Sequence, residues 1–249
     1  MTKLSVNLNK FALLRNSRGR DYPNVLTMAK RCLDSGVDGI TIHPRPDQRH
    51  AKYSDVYELA ELLRQYPEAE LNIEGNPVPE FLNVVKEAVP HQCTLVPDDP
   101  NQLTSDHGWD LKKDGNFVSS IVKDLQENQI RVSLFMDPVL DQIELAKGLG
   151  TDRIELYTEA YARQFAEGNK EKAVQDYQTA AAKAQELGLG VNAGHDLDLM
   201  NLEFFLKIPG VLEVSIGHAL VVESFDHGLE ETIRQYLKII SRKKDAGTE

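Results

Sequence analysis

Short runs of β character recur along the whole chain, and each is followed by a helical pattern. No other feature of the sequence restricts the fold as strongly. The runs fall at residues 4–9, 39–43, 70–74, 92–97, 131–137, 153–156, 190–193 and 213–216. Most are rich in Val, Ile and Leu, as the buried strands of a parallel sheet are. The segments between them carry apolar stripes at helical spacing. Val25, Met28, Ala29, Cys32 and Leu33 precede a terminating Gly36, and Val56, Leu59, Ala60 and Leu63 follow a cap at Ser54. Phe81, Val84, Val85 and Ala88 stand behind a first-turn Pro79. Phe117, Ile121 and Leu125 mark a fourth helix, and Leu140, Ile143 and Leu149 a fifth. An alanine-rich helix over 171–187 ends at Gly188, and Leu229, Ile233, Tyr236, Leu237 and Ile240 mark the last. Eight such units in 249 residues predict a single α/β domain, a (β/α)8 barrel. A doubly wound open sheet is the alternative, but no G-x-G-x-x-G follows the first strand and no P-loop occurs.

In a barrel, the polar residues at the C-terminal strand ends converge on one mouth. Here those ends carry Asn7 and Asn9, His43 and Arg45, Glu74, Thr104, Glu155, His195, and Gly217 with His218. Four of the seven histidines, His43, His50, His195 and His218, lie at or just after strand ends. One histidine beside a strand is ordinarily structural; four at the same end of a barrel point to proton chemistry. The connections 98–116 and 159–169 are long and fall on the same face, where long loops serve active sites. A divalent metal is an alternative use of His and Glu. It is disfavoured because only Glu74 and Glu155 are well placed as carboxylates and no H-x-H or H-E-x-x-H spacing occurs. The small residues of NAGHD and SIGHA let backbone N–H groups approach an anion, while Arg18, Arg45, Arg49 and His50 supply cations.

Those cations stand out because the chain as a whole is acidic: 28 Lys and Arg against 39 Asp and Glu, a net charge of −11. That balance argues against a nucleic-acid or anionic-membrane partner. No stretch reaches the eighteen or more apolar residues of a membrane span. The start MTKLSVNLNK lacks the apolar centre of a secretory signal, and two cysteines cannot build a disulfide framework. These features together predict a cytoplasmic protein.

The segments SVNLNKFALLRNSRG, DGITIHPRPDQRH, LNIEG, TLVPDDPNQLTSDHGWD, RIELYTEAYA, VNAGHD and SIGHA, in this order, resemble the pyridoxine 5′-phosphate synthase family over nearly the whole chain. HPRPDQRH and the pair VNAGH and SIGHA are the most specific. The resemblance implies a TIM barrel with extra helices in its βα loops. It also implies a homo-oligomer, typically an octamer built as a tetramer of dimers. The implied reaction joins 1-deoxy-D-xylulose 5-phosphate to 3-amino-2-oxopropyl phosphate, closing a pyridine ring with loss of phosphate and water. Carried over by motif, His43 and Glu74 would accept protons, His195 would donate one, and Glu155 would stabilise charged intermediates. Arg45, His50 and Thr104 would hold the sugar phosphate, and Asn7, Arg18, Asp196, Gly217 and His218 the amino-ketone phosphate. No cofactor, metal or Schiff-base lysine is implied. A different sugar-phosphate isomerase or aldolase on the same fold, or a barrel that only binds pyridoxine phosphate, are the competing readings.

Two positions depart from the family pattern. Many relatives carry Asp-His where this chain has Asn9-Lys10, and Gly where it has Asp196. Asp196 has two readings: it caps the following helix, a role open to Asp198 as well, or it holds the substrate amine close to His195.

Overall fold

The computed structural model describes residues 1–99, 102 and 104–242. Part of the 98–116 connection therefore lies outside the described residues. All eight predicted strands form: β1 (Lys3–Asn7), β2 (Gly39–Ile42), β3 (Glu70–Gly75), β4 (Gln92–Leu95), β5 (Arg131–Met136), β6 (Arg153–Tyr157), β7 (Gly190–Gly194) and β8 (Val211–Ile216). Each pairs in parallel with the next, and β8 closes onto β1 through Lys3↔Glu213 and Ser5↔Ser215. This closure is a TIM barrel, and it removes the doubly wound alternative.

The strands are not apolar on both faces. They alternate with period two. Leu4 and Val6, Ile40 and Ile42, Leu71 and Ile73, Val132 and Leu134, and Ile154 and Leu156 are essentially inaccessible to solvent and join one apolar layer with the surrounding helices. The alternate residues face the barrel axis and are mostly polar, whereas barrel interiors are generally filled by branched apolar side chains. Ser5 and Thr41 share a hydrogen bond of 2.7 Å, Asn72 donates to Thr41 at 3.4 Å, and Thr94 donates to Asn72 at 3.0 Å and to Glu155 at 3.4 Å. The core thus sits between sheet and helices, and the axis is left for polar chemistry.

The helices are α1 (Asn9–Asn16), α2 (Val25–Asp34), α3 (Tyr53–Leu63), α4 (Pro79–Ala88), α5 (Leu111–Glu127), α6 (Leu140–Gly148), α7 (Glu159–Ala166), α8 (Lys170–Glu186), α9 (Leu202–Phe205), α10 (His218–His227) and α11 (Leu229–Arg242). Three of them, α1, α7 and α10, follow β1, β6 and β8 directly and are additional to the one helix per strand; the short α9 is the sole helix between β7 and β8. The predicted first strand over 4–9 ends at Asn7, because Asn9 already opens α1. The 159–169 connection is mostly α7. Ser54 is not a cap: α3 begins at Tyr53, and the Asp55 carboxylate accepts from the Lys52 N–H at 2.8 Å. On α5 and α6, Ile121, Leu125 and Ile143 are buried, but Phe117 is 53% and Leu140 41% exposed. Their stripes are narrower than the sequence spacing indicates. Pro79, Gly36 and Gly188 stand where expected; the two glycines have φ of +91° and +75°, the left-handed values a helix end requires.

Candidate active site

A cavity of about 520 Å³ opens at the C-terminal end of the barrel. Of the twelve residues singled out from the sequence, eleven line it: Asn7, His43, Arg45, His50, Glu74, Thr104, Glu155, His195, Asp196, Gly217 and His218. Its floor is the last inward-facing residue of several strands. Asn7 at the end of β1 accepts from the Asn9 N–H at 3.0 Å and donates to Glu74 at 3.3 Å. Asn9 in turn accepts from the His43 N–H at 2.9 Å, so α1 fixes the exit of β2. The chain after β2 is tied back to α1 by Arg15, whose guanidinium forms a buried pair with Asp55 and also donates to the His50 carbonyl at 3.2 Å. Asn16 donates to the same carbonyl at 2.7 Å.

His195 follows β7 with φ of +88°, and Asp196 with φ of +57°. Two consecutive non-glycine residues in left-handed conformation store strain, which concentrates at functional sites. Thr158 holds the bend, donating from its hydroxyl to the carbonyls of Gly194 and His195. The His195 ring is set on three sides: Nδ1 lies 2.9 Å from the Asp196 carboxylate, Nε2 lies 3.2 Å from the Thr104 hydroxyl, and Tyr157 packs edge-on. Asp196 is not the helix cap. Asp198 caps, accepting from the Met200 and Asn201 N–H groups at 2.9 and 2.8 Å. Gly217 precedes the ten-residue α10, whose first residues His218 and Ala219 line the mouth with it; a Cβ at Gly217 would come within 3.0 Å of the Asn7 Cβ.

Burial raises Glu74, and the Glu213 and Asp98 carboxylates add to it, bringing its pKa to about 8. Burial, then Glu74 and Glu213, hold Glu155 well above the ordinary carboxyl value. His43 is depressed well below its ordinary value by burial and then by the Arg45 guanidinium, His50, the Arg49 guanidinium and His195. Burial and Arg45 likewise lower His50 to about 4. The mouth therefore holds His43 and His50 as neutral imidazoles beside two carboxyl groups held above their ordinary range, next to cationic guanidinium groups. Groups of this kind can move protons at a bound substrate.

Residues 4–242 match the model of the family described as pyridoxal phosphate biosynthesis protein PdxJ. The chain belongs to that family. A pyridoxine 5′-phosphate synthase of Christiangramia forsetii is 52% identical over 241 residues, 96% of this chain and 100% of that protein. One of Bacteroides thetaiotaomicron is 52% identical over 237 residues, 95% of this chain and 98% of that protein. Among solved structures, a tryptophan synthase α-subunit from Pyrococcus furiosus superimposes with TM-score 0.61 at 14% identity, covering 96% of this chain and 98% of that one. A phosphoribosyl anthranilate isomerase of Thermus thermophilus gives 0.62 at 13% identity, covering 97% and 99%. At such identities these two share the fold alone.

As a PdxJ-family barrel, the chain shows one departure from the sequence reading and several additions. Arg18 does not line the mouth; it sits exposed in the turn between α1 and α2, beyond the end of α1. Asp98, Glu213 and Gly194 were not singled out, yet each shapes the site. Asp98 pairs with Arg45. Glu213, buried at the start of the β8 ladder, faces Glu74 and Glu155 electrostatically. Gly194 has no Cβ because one would collide with Oε1 of Glu155. The alternation in EVSI marks Glu213 as axis-facing, a signal available in the sequence; Asp98 carries no such local mark.

Proposed function

We propose that this mouth condenses 1-deoxy-D-xylulose 5-phosphate with 3-amino-2-oxopropyl phosphate to pyridoxine 5′-phosphate, releasing phosphate and water in vitamin B6 biosynthesis. The observation that carries the reading is the convergence of His43, Glu74 and His195 on one cavity of about 520 Å³, a volume suited to small phosphorylated substrates. Amine addition to a ketone, loss of water and aromatisation each move a proton. Neutral His43 accepts a proton, and so does Glu74 in its carboxylate form, whose raised pKa of about 8 makes it a stronger base than an ordinary carboxylate. His195, oriented by Asp196 and Thr104, donates one to the departing oxygen. Glu155 balances the cationic nitrogen that forms during condensation.

Arg45, His50 and Thr104 take the sugar phosphate. Asn7, Gly217, His218 and the N-terminus of α10 take the amino-ketone phosphate, with Asp196 on its amine. Arg18 lies outside its own mouth, so on this reading it serves the mouth of a second copy in a homo-oligomer, an octamer of four dimers. The reaction needs no cofactor or metal, because the substrate supplies the amine and the protein the proton carriers. The enzyme works in the cytoplasm on small phosphorylated molecules, with no nucleic-acid or membrane partner; no helix among the described residues is long and apolar enough to cross a membrane. The test mixes purified protein with both substrates and follows the pyridine chromophore and free phosphate. Their stoichiometric appearance is expected, and consumption of either substrate alone would instead indicate an isomerase or aldolase.

A further inference from the structure

Asp98 lies three residues beyond β4 and is 3% exposed. Its Oδ2 accepts from the Arg45 guanidinium and from the Ser105 hydroxyl, the latter at 2.9 Å. The same oxygen is 3.9 Å from Nε2 of His43. Its Oδ1 is buried and has no hydrogen-bond partner among the described residues. One carboxylate thus sits between the proposed phosphate cation and the proposed base, with an acceptor atom to spare.

A neutral imidazole has one N–H and one lone pair, and the N–H goes to the stronger acceptor. We propose that Asp98 is a positioning residue: it selects the Nε2–H tautomer of His43, leaves Nδ1 as the proton acceptor, and braces the Arg45 guanidinium beside it. The inference rests on the synthase reading for the reaction that His43 serves. The 3.9 Å contact closes to a hydrogen bond by side-chain rotation, as catalytic contacts do when substrate fills a site. When His43 gains its proton, the Asp98 carboxylate lies 3.9 Å from its Nε2. Of the other groups around His43, the Arg45 and Arg49 guanidinium groups oppose that proton, as do His50 and His195 in their protonated forms. Around Asp98 itself stand Arg45, His107 and Asp106, and its charge reaches Glu74. A base surrounded by cations needs one anion within reach, and Asp98 provides it.

Asp98→Asn tests this with little change of shape. In nitrogen-15 spectra of histidine-labelled protein near pH 7.5, a pH chosen to be roughly neutral for unperturbed imidazole, wild-type His43 is expected as the Nε2–H tautomer. In Asp98→Asn the Nδ1–H form should replace it in part or whole. With both substrates, kcat should fall about tenfold or more, and by a larger factor than KM for the sugar phosphate rises. Asp98→Glu should restore the wild-type tautomer. An unchanged tautomer in Asp98→Asn overturns the proposal, whether or not the melting temperature drops, and so does a wild-type kcat. If the wild-type protein forms no pyridine product, the synthase reading fails while the tautomer measurement still decides the role of Asp98.

Discussion

Glu70 and Glu74 lie on the same strand and the same inward face of the barrel, four residues apart, yet their chemistry is opposite. Burial alone would raise Glu70, but Lys3 at 2.5 Å and the Arg131 guanidinium outweigh it and bring it to about 2. Glu74 has no cation beside it; burial and two further carboxylates take it to about 8. The N-terminal end of the barrel is a charge-matched plug, in which Arg153 also pairs with Glu213 and donates to Gln92 and Asn192. At the C-terminal end Asp98 is paired with Arg45, but Glu74 and Glu155 have no cation beside them. Paired charges hold a structure, and unpaired ones stay available to react.

Exchanging each glutamate for its amide should break this contrast most strongly. Glu74→Gln should lower kcat by roughly 10²–10⁴-fold, while Glu70→Gln should leave kcat nearly unchanged. Stability should respond in reverse. Glu70→Gln strands two cations and should cost about 1–2 kcal/mol near neutral pH, allowing for solvent screening, or roughly 2–8 °C in melting temperature. The pH windows are also opposite. Glu70 is held below its ordinary 4.5, so its stabilisation is present above 4.5 and lost as pH falls through about 2. Glu74 is held above 4.5, so its contribution is present below 4.5 and lost as pH rises through about 8. Melting curves of the two variants across pH 3–9, a span of roughly the two windows, should flatten at opposite ends. Matching profiles would mean that the two ends do not differ as described.

The next largest effect separates the phosphate sites. Arg45→Ala should raise KM for the sugar phosphate by the loss of a charge-assisted contact, roughly 1.5–3 kcal/mol or about 10–100-fold. Arg18→Ala should act on the amino ketone instead, and equal effects on both substrates from either variant would contradict separate sites. A smaller effect sharpens the electrostatic link between the ends. Glu213 is raised to about 7 by burial and adds to the rise of Glu74. Glu213→Gln should therefore move the acid limb of the pH–rate profile to lower pH by less than about one unit. An unmoved limb would assign Glu213 to the plug alone. The smallest expected effect is none: exhaustive chelation should leave activity intact, and loss restored by one divalent ion would revive the metal alternative.

Much of this was legible before the structure because the signals are local. The strands announce themselves as short runs rich in Val, Ile and Leu, each followed by a helical pattern, and the histidines that follow them fall at the mouth once the sheet closes. Element edges were less legible. Asn9 reads as the end of a strand run, but its side chain is occupied with His43 and its backbone opens a helix. Phe117 has the right spacing for a buried stripe and remains outside it, because spacing states which residues share a face without stating how wide the covered part is.

Residue type and spacing determined the barrel and its reactive end, and with the family motifs they singled out twelve residues of which eleven line that end, since such patterns act over a few residues. The tertiary structure decided the protonation chemistry. Nothing near Glu70 or Glu74 in the chain says that one meets Lys3 and Arg131 while the other meets Glu213 and Asp98, partners distant in sequence from both strand ends. It likewise decided that Asp198 caps and Asp196 turns to His195, and that Arg18 lies outside the lining of its own cavity. Charges interact through space, and only closure of the sheet sets which charges share that space.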